Sequence, residues 1–262
     1  MFENEARRLK IYFIMLVVII SVGMILGMKP VSQDVGYHAF ADGAKRFGIV
    51  NANDVISNAG FIIAGIVGLM RLRSWPSSNT IKLWRFFFFS VILVGFGSAY
   101  YHLRPSNTTL IWDRLPMTLG FAALTSCLFA ERLGVKIGHR LFGPLAASGM
   151  LSVIYWWVTE QAGAGDLRPY ILVQYLPMIL IPLILLLFPK SSGQNKFYWL
   201  LFSSYLAAKF FEINDIGVFH LTHQVISGHT IKHLAAATGI LLFRPAIGVD
   251  AGNSFDRSTI IS

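Results

Sequence analysis

Apolar residues run through this chain in long unbroken blocks, separated by short polar stretches. Eight such blocks can be marked: Ile11–Met28, Val55–Met70, Phe86–His102, Ile111–Ala130, Leu141–Val158, Tyr170–Phe188, Phe197–Phe211 and Val225–Phe243. A helix rises 1.5 Å per residue, so about 20 apolar residues cross a hydrocarbon core of ~30 Å. The pattern predicts an all-α integral membrane protein with eight transmembrane helices. The first block follows Arg7, Arg8 and Lys10 and could be read as a signal peptide. It is long and lacks a small-x-small cleavage site before Lys29, so a retained helix is expected.

Loop charge supplies the orientation. Arg71, Arg73, Lys82 and Arg85 lie in one connection, Arg132, Lys136 and Arg140 in the next but one, and Lys190 and Lys196 in the next but one again. The N-terminus and Arg244 match them, whereas the alternate loops are poorer in Lys and Arg. The positive-inside rule then puts both termini in the cytoplasm, which requires an even number of spans. Three regions follow: residues 1–29 as cytoplasmic N-terminus and first helix, 30–244 as the helical core, and 245–262 as a flexible cytoplasmic tail. No internal repeat of the transporter kind is visible.

Composition agrees. Residues are 55% hydrophobic and 13% charged, against roughly 25% charged in soluble domains. The net charge of +9 resides mainly in the loops that orient helices, so no nucleic-acid partner is expected. Cys127 stands alone, which excludes an intrachain disulfide and leaves the redox compartment unread.

Function has to come from polar groups in apolar surroundings, because an ionisable side chain at bilayer depth costs about 2.5–3.5 kcal/mol on insertion scales. Ser98 and His102 form S-x-x-x-H at the end of the third block, and His229 and His233 form H-x-x-x-H at the start of the last. At i, i+4 spacing each pair shares a helix face. Asp113 opens the fourth block within Trp112-Asp113-Arg114. The topology puts all five at the extracytoplasmic end. Three imidazoles and a carboxylate at one depth suit a catalytic zinc, which takes three protein ligands and one water whose pKa falls to about 7. Asp113 would orient that water or accept its proton, and Ser98 would donate to the developing oxyanion. Taken singly, each residue has a plainer reading. The histidines could pack or hydrogen-bond between helices, Ser98 could be a small contact residue, and Asp113 could pair with Arg114 or Arg104.

The same residues carry a family resemblance. S-x-x-x-H, an Asp opening the next helix and H-x-x-x-H in the last helix resemble the alkaline ceramidases, whose superfamily includes the progestin and adiponectin receptors. Asp54-Val55-Ile56-Ser57-Asn58, Gly97-Ser98-Ala99-Tyr100-Tyr101-His102, Trp112-Asp113-Arg114-Leu115-Pro116 and Gly228-His229-Thr230-Ile231-Lys232-His233 look like the bacterial branch, over about Tyr37 to Phe243. The resemblance implies a seven-helix core with Ile11–Met28 as an added N-terminal transmembrane helix, in a bacterial inner membrane. It implies zinc on His102, His229 and His233, assistance from Asp113 and Ser98, and a membrane lipid substrate: ceramide or another N-acyl lipid. A calcium site is doubtful, since Asp42, Asn51, Asn53 and Asp54 lack the Asp-Trp start of eukaryotic members. Those residues serve equally well as caps for the helix near Val55.

Other polar residues read more simply. Lys209 and Glu212 suggest a helix-face pair, with a cavity role as the lesser reading. His38, His139, His220 and His223 read as loop histidines, with a place at the cavity mouth as the lesser reading of His38, and Asp166 and Arg168 as a cap for the following helix. Two rival functions remain. One is a non-catalytic receptor or signalling protein holding a closed structural zinc. The other is a serine hydrolase at Ser98, which lacks a G-x-S-x-G elbow. The sequence is silent on oligomeric state.

Overall fold

The computed structural model describes residues 2–74, 78–190 and 194–244. They form α1 (Phe2–Gly27), a 3-10 turn (Val35–His38), α2 (Ala52–Ser57), α3 (Ala59–Arg73), α4 (Ile81–Leu103), α5 (Asn107–Arg132), α6 (Val135–Gln161), α7 (Arg168–Leu187), α8 (Gln194–Ile213), α9 (Asp215–Leu221) and α10 (Gly228–Leu242). Among these residues the only extended pairing is an isolated bridge between Arg46 and Ile49. The expected tail, 245–262, lies outside the described residues.

Each apolar block of the sequence overlaps a helix, the second divided between α2 and α3 at Asn58. Among the described residues five stretches are long and apolar enough to cross a membrane: Asn4–Gly27, Ala52–Arg73, Ile81–Leu103, Val135–Gln161 and Arg168–Leu187. The other three helices that carry apolar blocks, α5, α8 and α10, also carry ionisable groups. α5 carries Asp113, Arg114, Glu131 and Arg132, and α8 carries Lys196, Lys209 and Glu212. α10 is only 15 residues long and holds His229, Lys232 and His233. Such groups lower the hydropathy of α5 and α8, whereas α10 is set apart by its length.

The helices close a ring. α3 packs on α4, α4 on α5, α5 on α7, α7 on α8, α8 on α10 and α10 back on α3, while α6 lies outside against α5 and α7. α1 packs chiefly on α7. Leu9, Met15, Ile19 and Met24 on α1 remain exposed, as expected of a helix apolar all round that faces lipid. Polar clamps hold its ends: Arg7 donates to the Leu133 carbonyl (2.8 Å) and Arg168 to the Met28 carbonyl (2.6 Å). Asp166, in the loop before α7, fixes Arg168 through Nε (2.9 Å) and Nη2 (2.8 Å). Those hydrogen bonds hold the Asp166 carboxyl down at about 2.

Two apolar clusters stabilise opposite ends of the bundle. One gathers Trp84, Phe87, Phe88, Leu128, Tyr198 and Phe243. The other joins Tyr101, Leu110, Val153, Trp156, Leu167 and Tyr170.

Some boundaries differ from the sequence reading. The last helix begins at Gly228 rather than Val225, because the Ser227 hydroxyl accepts from the Thr230 amide (3.0 Å) and caps it. His220 lies on α9 rather than in a loop, and His139 lies early in α6, bonded to the Asn79 carbonyl (2.6 Å).

Candidate metal centre

The site begins with a close helix crossing. Pro116 has no N–H, so the Trp112 carbonyl of α5 loses its helical donor. That carbonyl abuts Gly97 of α4, where a Cβ would collide with it. Glycine therefore lets the two backbones meet beside Ser98 and Asp113. The Ser98 hydroxyl faces the Asp113 carboxyl, and both side chains line one cavity. A capping box, in which Ser106 and Thr109 satisfy each other's backbone amides, fixes where α5 starts.

His102 lies in the last turn of α4, and His229 and His233 on the first turns of α10. All three are buried. Their ring centroids form a near-equilateral triangle with sides of 4.8, 5.0 and 4.9 Å. One ring nitrogen from each lies within 4.8 Å of the others. A tetrahedral zinc with Zn–N of ~2.0–2.1 Å asks for nitrogens ~3.3 Å apart. The gap is that of a site a small inward turn from ligation. Asp113 is not a member of this ligand group.

The environment of the rings suits a metal. His102 Nδ1 is buried and has no hydrogen-bond partner, which is costly unless another ligand uses its lone pair. His233 Nδ1 lies 2.9 Å from Ser57 Oγ. Ser57 gives its own proton to the Asp54 carbonyl (3.0 Å), so Nδ1 carries the hydrogen and Nε2 keeps a free lone pair. The histidine triad thus fits a three-nitrogen centre. Against it stands Lys232, whose ammonium is 3.3 Å from His229 Nε2. Glu212 draws that ammonium away at 2.7 Å.

The supporting residues come from segments far apart in sequence. Asp54 accepts from Ser227 (3.1 Å) and Thr230 (2.6 Å), locking α2 to the start of α10. Asp215 accepts from the His229 amide (2.7 Å) and the Ala41 amide (3.0 Å). Gly228 brings α10 against the Phe211 carbonyl and the Asp215 backbone. From the segment after α1, Phe40 covers the centre, its ring 4.5 Å from His102 and 4.7 Å from His229. His38 is fixed by Tyr101 and Asn107, each at 2.9 Å.

Several expectations change here. Asn51 and Asp54 do not cap α2. Asn51 sits at the N-cap in a left-handed conformation (φ 53°) without a capping bond, and its side chain donates instead to the His102 carbonyl (3.0 Å). Asp42 accepts from the Ala44 amide (3.1 Å) and Asn53 (2.7 Å). Among the described residues Asp113 has no Lys or Arg within 4.0 Å, so neither Arg104 nor Arg114 pairs with it. Lys209 and Glu212 are the pair expected (2.5 Å), but Lys232 joins them and all three line the cavity. Ser57, Asp215 and Phe40 carried no signal as supporting residues, although Ser57 lies within a quoted motif. Their roles depend on partners outside any local pattern.

Below the histidines runs a cavity of about 390 Å³. Its head holds His233, Ser98, Asp113, Arg114, Glu212 and Lys232. Its walls are apolar: Phe61, Phe87, Val91, Leu124, Met178 and Ile181 among others. Polar groups at one end and an apolar sleeve beyond suit an amphiphile.

A protein-family profile described as Ceramidase matches residues 49–243, most of the 262-residue chain. The matched region contains all five residues singled out for chemistry and leaves α1 outside. Comparison with curated proteins and with solved structures gave no match.

Proposed function

The chain belongs to the ceramidase family, and from that premise we propose that it is a zinc-dependent intramembrane amidase. It hydrolyses ceramide or a related N-acyl lipid to a fatty acid and a sphingoid or other amine base. The observation that supports this most directly is the trio of buried imidazoles, with His102 Nδ1 unpartnered and His233 lining the polar head of an apolar cavity. His102, His229 and His233 would hold the zinc. When bound, zinc supplies a Lewis acid and a water of lowered pKa.

The chain's own groups do the rest. Asp113 Oδ takes a proton from the attacking water and returns it to the leaving nitrogen. Ser98 donates to the ionised carboxyl and, once Asp113 has taken the proton, turns its hydroxyl toward the substrate carbonyl oxygen. Ser57 and Asp54 keep His233 in one tautomer. Phe40 excludes bulk water from above, and the apolar sleeve takes an acyl chain. In this reading α3 to α8 and α10 form the seven-helix core and α1 is an added span. Both termini are cytoplasmic, and the centre faces the extracytoplasmic side.

The test joins elemental analysis to an N-acyl lipid cleavage assay on purified wild type and His229→Ala. About one zinc per wild-type chain is expected, with zinc and turnover both lost in the variant. Active wild type without zinc overturns the metal reading. Bound zinc without turnover across a broad lipid panel favours the receptor reading.

A further inference from the structure

Arg114 is a cavity cation that the proposed chemistry leaves unused and that, unlike Lys209 and Lys232, has no carboxylate partner among the described residues. It follows Asp113 on α5, is only 5% exposed, and lines the same cavity. Buried arginines are ordinarily paired with a carboxylate. Among the described residues none lies within 4.0 Å of this one, the ion pairs there being Arg168–Asp166, Lys209–Glu212 and Lys232–Glu212. Its Nη2 donates to a neutral acceptor, Gln33 Oε1, at 2.7 Å. Its Nη1 is buried with no partner.

Aromatic faces supply partial compensation. The guanidinium carbon lies 4.2 Å from the Trp156 ring centroid, 4.6 Å from Tyr170 and 5.7 Å from Tyr37. Such contacts hold the plane of the group while contributing less than a full counter-charge. The rest of the cavity head does not neutralise it. Lys209 and Lys232 already share Glu212, so with both carboxylates ionised Arg114, Lys209 and Lys232 outnumber Asp113 and Glu212 by one charge.

We propose that Arg114 binds an anionic headgroup on the amine half of the substrate, which makes the substrate class an N-acyl lipid bearing a phosphate or carboxylate. This deepens the amidase reading and rests on it. A planar fork with one arm held by Gln33 and the other free matches an oxyanion, whereas a neutral sphingoid base offers only hydroxyls. Because Arg114 and Asp113 line the same cavity, the anion is held in the compartment of the carboxyl that handles the proton at the scissile amide, with the acyl chain in the apolar sleeve.

The experiment uses full-length protein in nanodiscs of neutral lipid. Three N-acyl lipids with one acyl chain are compared, their headgroups neutral, carboxylate and phosphate, against wild type, Arg114→Gln and Arg114→Lys. Wild type is expected to prefer an anionic lipid. Arg114→Gln should raise KM for that lipid on the order of tenfold, the value of a hydrogen bond to a charged group, and leave the neutral lipid nearly unchanged. Arg114→Lys should fall between them. A fluorescent anionic lipid titrated into chelator-treated protein should show the same ranking, which decides the matter even if none of the three lipids is cleaved and the amidase reading fails. Inorganic phosphate and a free fatty acid serve as competitors, and displacement by either at lower concentration than by the intact lipid would overturn the headgroup assignment. Equal loss on all three lipids would make Arg114 a purely structural clamp and overturn it too. If Arg114→Gln does not fold, Arg114→Lys carries the same comparison.

Discussion

Replacing Gly97 with alanine tests how the crossing of α4 and α5 sets the site. The added Cβ would lie 2.7 Å from the Trp112 carbonyl carbon and closer still to its oxygen, where ordinary contact is 3.4–4 Å. Those atoms are backbone, so they cannot rotate away. The helices must part by more than an ångström, at the residues adjoining Ser98 and Asp113. Overpacking of this kind costs about 1–3 kcal/mol, and the better helix propensity of alanine offsets about 1 kcal/mol of it. Folding should therefore survive with a modest loss. Catalysis should not, since misplacement by an ångström costs on the order of 10²-fold. The assay is kcat/KM for N-acyl lipid cleavage beside thermal unfolding in the same detergent. Gly143→Ala serves as control, because nothing lies within 4 Å of its added Cβ. If Gly97→Ala folded and kept wild-type kcat/KM, the close approach of Trp112 to Gly97 would not be what places Asp113.

Two further outcomes are expected. Ser57→Ala leaves His233 Nδ1 only the Asp54 carbonyl as acceptor. Zinc affinity measured by chelator competition should fall about tenfold, the low end for loss of a partner behind a ligand, and unchanged affinity would show that Ser57 does not hold the tautomer. Asp166→Asn removes the clamp on Arg168. Because hydrogen bonds from Arg168 hold the folded carboxyl at about 2, its contribution is present in full above the unfolded value of about 3.9 and is lost as pH falls through about 2. The gap in thermal stability between wild type and variant should stay constant above that window and close within it. A gap that persists at lower pH would mean that the ion pair is not its source.

The helices were legible in the sequence because the cause of a helix in apolar surroundings is local: a run of side chains that prefers hydrocarbon, with backbone groups satisfied within the run. The pairing of His229 with His233 on one face was legible for the same reason, since i, i+4 spacing is a property of the helix alone. The capping of α10 by Ser227 also needs only neighbours, yet the apolar pattern begins that helix at Val225. Lys209 and Glu212 were likewise seen as a pair, three residues apart on one helix.

Tertiary structure decided what those local elements meet. Asp54 reads as a helix cap from its neighbours, yet it binds Ser227 and Thr230, 173 and 176 positions away. Lys232 sits inside a recognisable motif, but its counter-ion is Glu212 on another helix. The triangle of His102, His229 and His233, the Phe40 cover and the aromatic box around Arg114 all arise where the ring of helices closes. Hydrophobic periodicity records which face of a helix leaves water, and any apolar neighbour satisfies it equally. A hydrogen bond or a metal centre is satisfied by one partner at one distance, and that choice is made only when the helices pack.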